Sequence, residues 1–229
     1  MVTPRPVSLE GHGVRLEPLE PAHADALAAA AADGDQWRLW YVSVADLEPG
    51  RAHLYMNTAL TGRDEGHMLP WIVRELSTGA IVGSTRLHDI APAIDRVEIG
   101  YTFYAGRWQR THVNTACKLL VLAHAFDTLR CRVVGFKVDG LNQRSQRAVE
   151  ALGARKDGVI HHHGRRPDGS ARDTHTYSIL VSEWPEVRDR LERRLRLYEK
   201  NPARSAGSRG TIRDSGTISS EVRRPSTAW

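Results

Sequence analysis

The chain changes its hydrophobic period near its centre. Val97, Ile99, Tyr101 and Phe103 alternate with Glu98, Gly100, Thr102 and Tyr104, the two-residue repeat of a strand with one apolar face. Past a polar stretch from Arg107 to Asn114, Ala116, Leu119, Leu120, Ala123 and Phe126 recur at the three-and-four spacing of a helix packed on a sheet. A strand that runs straight into a helix leaves the first helical N–H groups unpaired at the positive end of the dipole. Such a spot suits a phosphate, and Arg107, Arg110 and Lys118 would surround it with positive charge. Many strand-loop-helix units bind nothing, so a ligand-free unit stays open at this point.

The same periods divide the rest of the chain. Val14 to Pro18 reads as a strand, Ala22 to Ala32 as an alanine-rich helix opening after Pro21, and Pro49 to Gly62 as a second helix. Leu69 to Leu76 and Ala80 to Ile90 predict two strands around Ser77-Thr78-Gly79. Cys131 to Val138 reads as a buried β-branched strand. Leu141 to Leu152 reads as a helix capped by Asn142 and ended by Gly153. Val159 to His163 and Thr174 to Val181 predict a last hairpin around Pro167-Asp168-Gly169. Glu183 to Lys200 is a charged helix with Val187, Leu191, Leu195 and Tyr198 on one stripe, which would pack on the domain or form a homodimer. The expected fold class is α/β: a mixed, mainly antiparallel sheet flanked by helices in one domain.

Composition narrows the classes. Hydrophobic residues make up 41% and charged residues 26% of 229 positions, ordinary for a soluble protein. No apolar run is long enough for a membrane helix, and the first residues lack the core of a signal peptide, so a cytoplasmic protein is expected. The net charge of +5 divides into +3 in residues 201–229 and +2 in the remainder, so a basic folded surface for nucleic acid is not implied. That tail is rich in Ser, Gly, Arg, Thr and Pro and reads as disordered, while residues 1–12 read as an extension before a domain at 13–200. Cys117 and Cys131 read as buried thiols.

EIGYTFYAGRWQRTHVNTACKLL, from Glu98 to Leu120, resembles the central motif of the GNAT N-acetyltransferases. DGLNQRSQRAVEALGARKDG, from Asp139 to Gly158, resembles the N-x-R-S-x-x-x-x-E-x-L-G-A stretch of the branch that includes the ribosomal-protein N-terminal acetyltransferases. The resemblance spans about Gly13 to Trp184 and implies transfer of an acetyl group from acetyl-CoA to an amine acceptor, with no metal. The family's Q/R-x-x-G-x-G/A loop is set against Trp108 to Val113, where Thr111 and Val113 replace the small positions. Those side chains would stand where the loop backbone approaches the cofactor, although the backbone N–H donors remain.

By this resemblance Arg110, Thr111, His112, Val113, Asn114 and Thr115 hold the cofactor diphosphate, and backbone groups of Thr102, Phe103 and Tyr104 meet its arm. Asn142 contacts the arm, or simply caps its helix. Ser145 protonates the thiolate, or is a small residue on a packed face, with Tyr101 and Tyr104 as rival acids. Glu98 acts as base toward the amine, or forms a structural ion pair. His161 and His163 would share a strand face, with His175 a candidate opposite them across the hairpin, but no recognisable ligand spacing supports a metal. Trp37, Trp40 and Tyr41 are expected to pack between helix and sheet or to touch the acceptor. A non-catalytic acyl-CoA-binding relative and a nucleic-acid-associated protein are the alternative classes.

Overall fold

Strands that alternate apolar and polar residues need a second layer to cover their apolar sides, and here one sheet receives helices on both faces. The computed structural model describes residues 1–34, 52–166 and 168–200. Trp37, Trp40, Tyr41, the start of the second predicted helix and the residues from 201 lie outside them. The strands are β1 (Leu9–Gly11), β2 (Val14–Pro18), β3 (Leu69–Glu75), β4 (Ile81–Ala91), β5 (Arg96–Tyr104), β6 (Val133–Asp139), β7 (Arg155–Arg165) and β8 (Ala171–Leu180). The helices are α1 (Ala24–Ala32), α2 (Ala52–Asp64), α3 (His112–Ala123), α4 (Gln143–Leu152) and α5 (Trp184–Glu199).

The sheet order is β1-β2-β3-β4-β5-β6-β8-β7. Every pairing is antiparallel except β5 with β6, so the architecture is the mixed, mainly antiparallel α/β sheet that the periodicity predicts. Residues opposite one another in an antiparallel pair share a face. Ser84, Arg86 and His88 therefore lie with Phe103, Gly100 and Glu98, on the side of α2, whose Tyr55 bonds Ser84 and meets Phe103 edge-on. Thr85 and Thr102 face α3 through Lys118. Helix α5 lies against α3 and α4. It buries Val187, Leu191 and Leu195 there, so its apolar stripe packs on its own domain.

Several boundaries move. Residues 9–11, read as part of an extension, pair with β2. Helix α3 starts at His112 rather than after Asn114, because Thr111 caps it: Thr111 Oγ1 accepts from the Val113 N–H and donates to the Trp108 carbonyl at 2.7 Å. β7 is longer than Val159 to His163, an exposed edge strand whose polar composition hides it from an apolar pattern. Its register sets Val159, not His161, opposite His175. His162 takes a φ of 49°, and His161 and His163 bond Asp173 and Thr174, so the three histidines do not converge.

Candidate active site

The site begins where β5 and β6 part. They pair in parallel only from Arg96 to Glu98 against Val133 to Gly135, although β5 runs on to Tyr104 and β6 to Asp139. On its other edge β5 carries a bulge: between the pairs Arg86–Gly100 and Ser84–Phe103 it spends one residue more than β4. Tyr101 takes a φ of 51° there. The bulge reverses the alternation, sending Thr102 toward α3 and Tyr101 toward α2.

The parted strands open into a cavity of about 310 Å³. β5 supplies Ile99 to Tyr104, β6 supplies Phe136 to Asp139, the loop and α3 supply Gln109, Arg110, Asn114, Thr115 and Lys118, and α4 supplies Asn142, Arg144, Ser145, Ala148, Val149 and Leu152. Arg172 of β8 and Leu191 and Arg194 of α5 complete it. The cavity thus brings together Thr102, Phe103, Tyr104, Arg110, Asn114, Thr115, Asn142 and Ser145 of the expected site. Thr111, His112 and Val113 are not among its lining. Val113 is wholly buried in the core, Thr111 is turned inward as the helix cap, and His112 lies against Gly13 in the β1–β2 turn. Replacement of the two small loop residues therefore leaves the groove open.

The mouth is held by local bonds. The Gln109 side chain donates through Nε2 to the Tyr104 backbone carbonyl at 3.0 Å and accepts from Arg144 through Oε1, tying the loop to both β5 and α4. Asn142 caps α4 by accepting from the Ser145 N–H at 3.0 Å, and Gly153 ends the helix at a φ of 114°. Arg166 bonds the Asp139 carboxylate through both oxygens, at 2.7 and 2.9 Å. Burial alone would raise the Asp139 carboxyl. Arg166, the Leu141 N–H and Arg172 outweigh it and hold the group below the usual carboxylate range.

Charge in the cavity is lopsided. Arg110, Lys118 and Arg194 line it, and none has an acidic partner among the described residues. The first turn of α3 adds N–H groups that no helical carbonyl can accept. Cations and free donors along one elongated groove fit a diphosphate with an extended polar arm, so the residues present suit acetyl-CoA. Desolvation pulls the Lys118 ammonium down to about 8, while its Nζ donates to Thr102 Oγ1 at 3.0 Å.

The other face of the bulge is organised differently. Glu98 is 4% exposed and stands opposite His88. Its Oε1 lies 3.3 Å from Lys137 Nζ, and its Oε2 is buried without a hydrogen bond. Lys137 also bonds Asp89 at 2.7 Å. His88, Asp89 and Glu98 bring ligand atoms within 4.8 Å of one another, but the Lys137 ammonium already supplies the cation between the carboxylates. Burial lowers the His88 imidazole pKa, with Asp89 and Glu98 opposing, which keeps the ring neutral. The Arg86 guanidinium is fully buried between the rings of Tyr55 and Tyr101, 4.1 and 4.3 Å from their centroids.

The expected rival acids are placed poorly. Tyr104 is buried beside Cys117, and desolvation pushes its hydroxyl pKa well up. Tyr101 turns its ring to Arg86 and His88, on the α2 face. Ser145 lines the cavity, and its hydroxyl makes no hydrogen bond to a described residue. Pattern reading missed Arg86, Lys137 and Arg194, and reached Lys118 only as a flanking charge. An arginine inside a strand reads as outward-facing, and desolvation leaves no mark on local sequence.

Comparison with known proteins adds the family. The acetyltransferase (GNAT) domain model matches residues 14–155. The uncharacterized N-acetyltransferase YoaA of Bacillus subtilis (strain 168) is 26% identical over 110 residues, and the match spans 48% of this chain and 61% of that protein. A crystal structure of a candidate acetyltransferase from T. thermophilus is 34% identical, with a TM-score of 0.73 over 84% of this chain and 98% of that one. A GCN5-related N-acetyltransferase from Brucella melitensis is 29% identical, with the same TM-score over 84% and 87% of the two chains. No helix among the described residues is long and apolar enough to cross a membrane. The parted strands, the cationic loop and all of α4 fall inside the matched span, and the chain belongs to the GNAT acetyltransferase family.

Proposed function

We propose that the protein moves an acetyl group from acetyl-CoA to a primary amine, a protein N-terminus or a small-molecule amine, by direct attack on the thioester. One observation carries the reading: an unneutralised cationic groove runs from the start of α3 into the gap between β5 and β6. In this reading Arg110 and the α3 N-terminus hold the diphosphate. Asn142 and the free edge of β5 from Thr102 meet the pantetheine arm. Glu98, whose Oε2 has no partner, takes the proton from the attacking amine. The likeness to ribosomal-protein N-terminal acetyltransferases makes peptides with free N-termini the first acceptors to offer.

Calorimetry with acetyl-CoA tests the groove, and thiol release with a panel of peptides, polyamines and amino acids tests the transfer. Binding followed by release from at least one acceptor is expected. Absence of heat at millimolar acetyl-CoA overturns the reading, and binding without release from any amine reduces the protein to an acyl-CoA binder. Glu98→Gln is expected to cut turnover about 100-fold while leaving cofactor affinity within about threefold.

A further inference from the structure

Lys118 is the cleft cation that the proposed chemistry leaves unused. It sits one turn beyond Asn114 and Thr115 on the face of α3 that lines the cavity. Its Nζ donates to Thr102 Oγ1 at 3.0 Å, and that hydroxyl is bonded at 2.7 Å to Thr85. Thr102 Oγ1 also reaches the Gly100 carbonyl at 3.3 Å, so the ammonium is anchored to the β5 bulge beside the strand opening. The remaining N–H donors of Lys118 have no acceptor among the described residues.

We propose that Lys118 is the acid that protonates the departing thiolate. This rests on the acetyltransferase reading and names a residue within it. The neutral amine attacks the thioester carbon, its proton passes to Glu98, and the C–S bond breaks with its electron pair on sulfur. Lys118 Nζ gives a proton to that sulfur, becomes a neutral amine, and regains a proton from water. The rivals also border the cavity but are worse placed: burial beside Cys117 pushes the Tyr104 hydroxyl pKa well up, and Tyr101 turns its ring onto Arg86 and His88 on the α2 face. Ser145 lines the cleft, but its hydroxyl is a far weaker acid than an ammonium near pH 8.

The surroundings suit proton release. On its own helix Lys118 adjoins Cys117, whose thiol burial pushes up to about 12, so no thiolate holds the proton back. From the other elements the cavity presents Arg110, Arg144, Arg172, Arg194 and Lys137, all positive, together with Tyr104 and with Asp139, which Arg166 and Arg172 engage. Desolvation brings Lys118 to about 8, where an ammonium gives up a proton readily yet is charged at neutral pH.

Three readouts test the assignment. The first titrates the thiol of bound CoA by its ultraviolet absorbance, with CoA itself as probe. An ammonium at the sulfur lowers that thiol by about one pH unit or more relative to free CoA, and Lys118→Met abolishes the shift. The second is the pH profile with an acceptor found by thiol release. Turnover falls above pH 8 in the wild type, and in Lys118→Met it is about 100-fold lower with that alkaline limb gone. The third is CoA affinity by calorimetry, which falls far less than turnover in Lys118→Met; an affinity loss that matches the turnover loss makes Lys118 a binding residue and overturns the proposal. Lys118→Arg, which keeps charge but cannot give up its proton, retains the thiol shift and loses the turnover. Circular dichroism on both variants establishes folding, and if Lys118→Met does not fold, the Lys118→Arg pair of readouts decides. An unshifted thiol in wild type, or an alkaline limb that survives in the variants, overturns the proposal. Failure of the wild type to bind CoA removes the acetyltransferase reading instead.

Discussion

The two faces of the β5 bulge handle buried charge in opposite ways. Toward α2, Lys137 is shared between Asp89 and Glu98, His88 is neutral, and Arg86 is clasped between two tyrosine rings. Toward α3, Arg110, Lys118 and Arg194 face a cavity with no acidic partner among the described residues. The first face largely closes on itself, its loose ends among the described residues being Glu98 Oε2 and Arg86 Nε. The second turns its cations toward the cavity, where the proposed function seats the diphosphate of acetyl-CoA. A single bulged residue divides them, because it turns Tyr101 one way and Thr102 the other.

The strongest way to break this division is at Gly83, which pairs with Tyr104 beside the bulge. A Cβ there would stand 2.1 Å from the Phe103 carbonyl oxygen, which is backbone and cannot swing aside. Gly83→Ala is expected to cost about 3 kcal/mol and to damage both faces together. Urea unfolding checks it, and an unchanged midpoint would show that the bulge absorbs the clash.

Lys118→Met acts on the α3 face alone and in the opposite direction. Lys118 has a folded value near 8 against an ordinary value of 10.5, so between those limits the unfolded chain binds the proton more tightly and stability rises with pH. Replacing the desolvated ammonium is expected to raise stability at pH 7 by about 2 kcal/mol and to flatten that rise. Urea unfolding at pH 7 and at pH 10 reads both effects.

Smaller losses separate helix starts from the cleft. Thr111→Ala removes the α3 cap and Asn142→Ala the α4 cap, each costing about 1 kcal/mol. Only Asn142→Ala touches the cavity lining, so it alone is expected to weaken acetyl-CoA binding directly in calorimetry. The smallest effect belongs to the α2 face in acid. His88 has a folded value below 6.5, so its contribution is present above that pH and is lost as pH falls from 6.5 through the folded value. A His88→Gln variant should lose that part of the pH dependence in thermal melts.

Much of the frame was readable because it is local. Asn142 and Gly153 delimit α4 through their own backbone, and the alternation from Val97 to Phe103 predicts β5. Tyr101 was not readable as a bulge, since that depends on how β4 registers beside it. Thr111 looked like an obstacle in the loop and proves to be a cap, a difference set by the direction of its side chain. Arg86 sits in a strand pattern that gives no hint of the rings enclosing it. Lys118 reads only as a charge flanking the loop until α3, β5 and α5 bring it into the cavity lining.

The outer strand carries a consequence of its own. β7 has one hydrogen-bonding rim paired with β8 and no partner strand on the other among the described residues, with Val159 and Ile160 exposed along it. Irregularities between Lys156 and Gly158 and between Ile160 and Gly164, together with the left-handed His162, twist that rim out of line, and Lys156 and Arg165 charge it. The distortions keep the rim from serving as a template for another molecule's strand. Straightening and discharging it would leave a rim inclined to join sheets edge to edge.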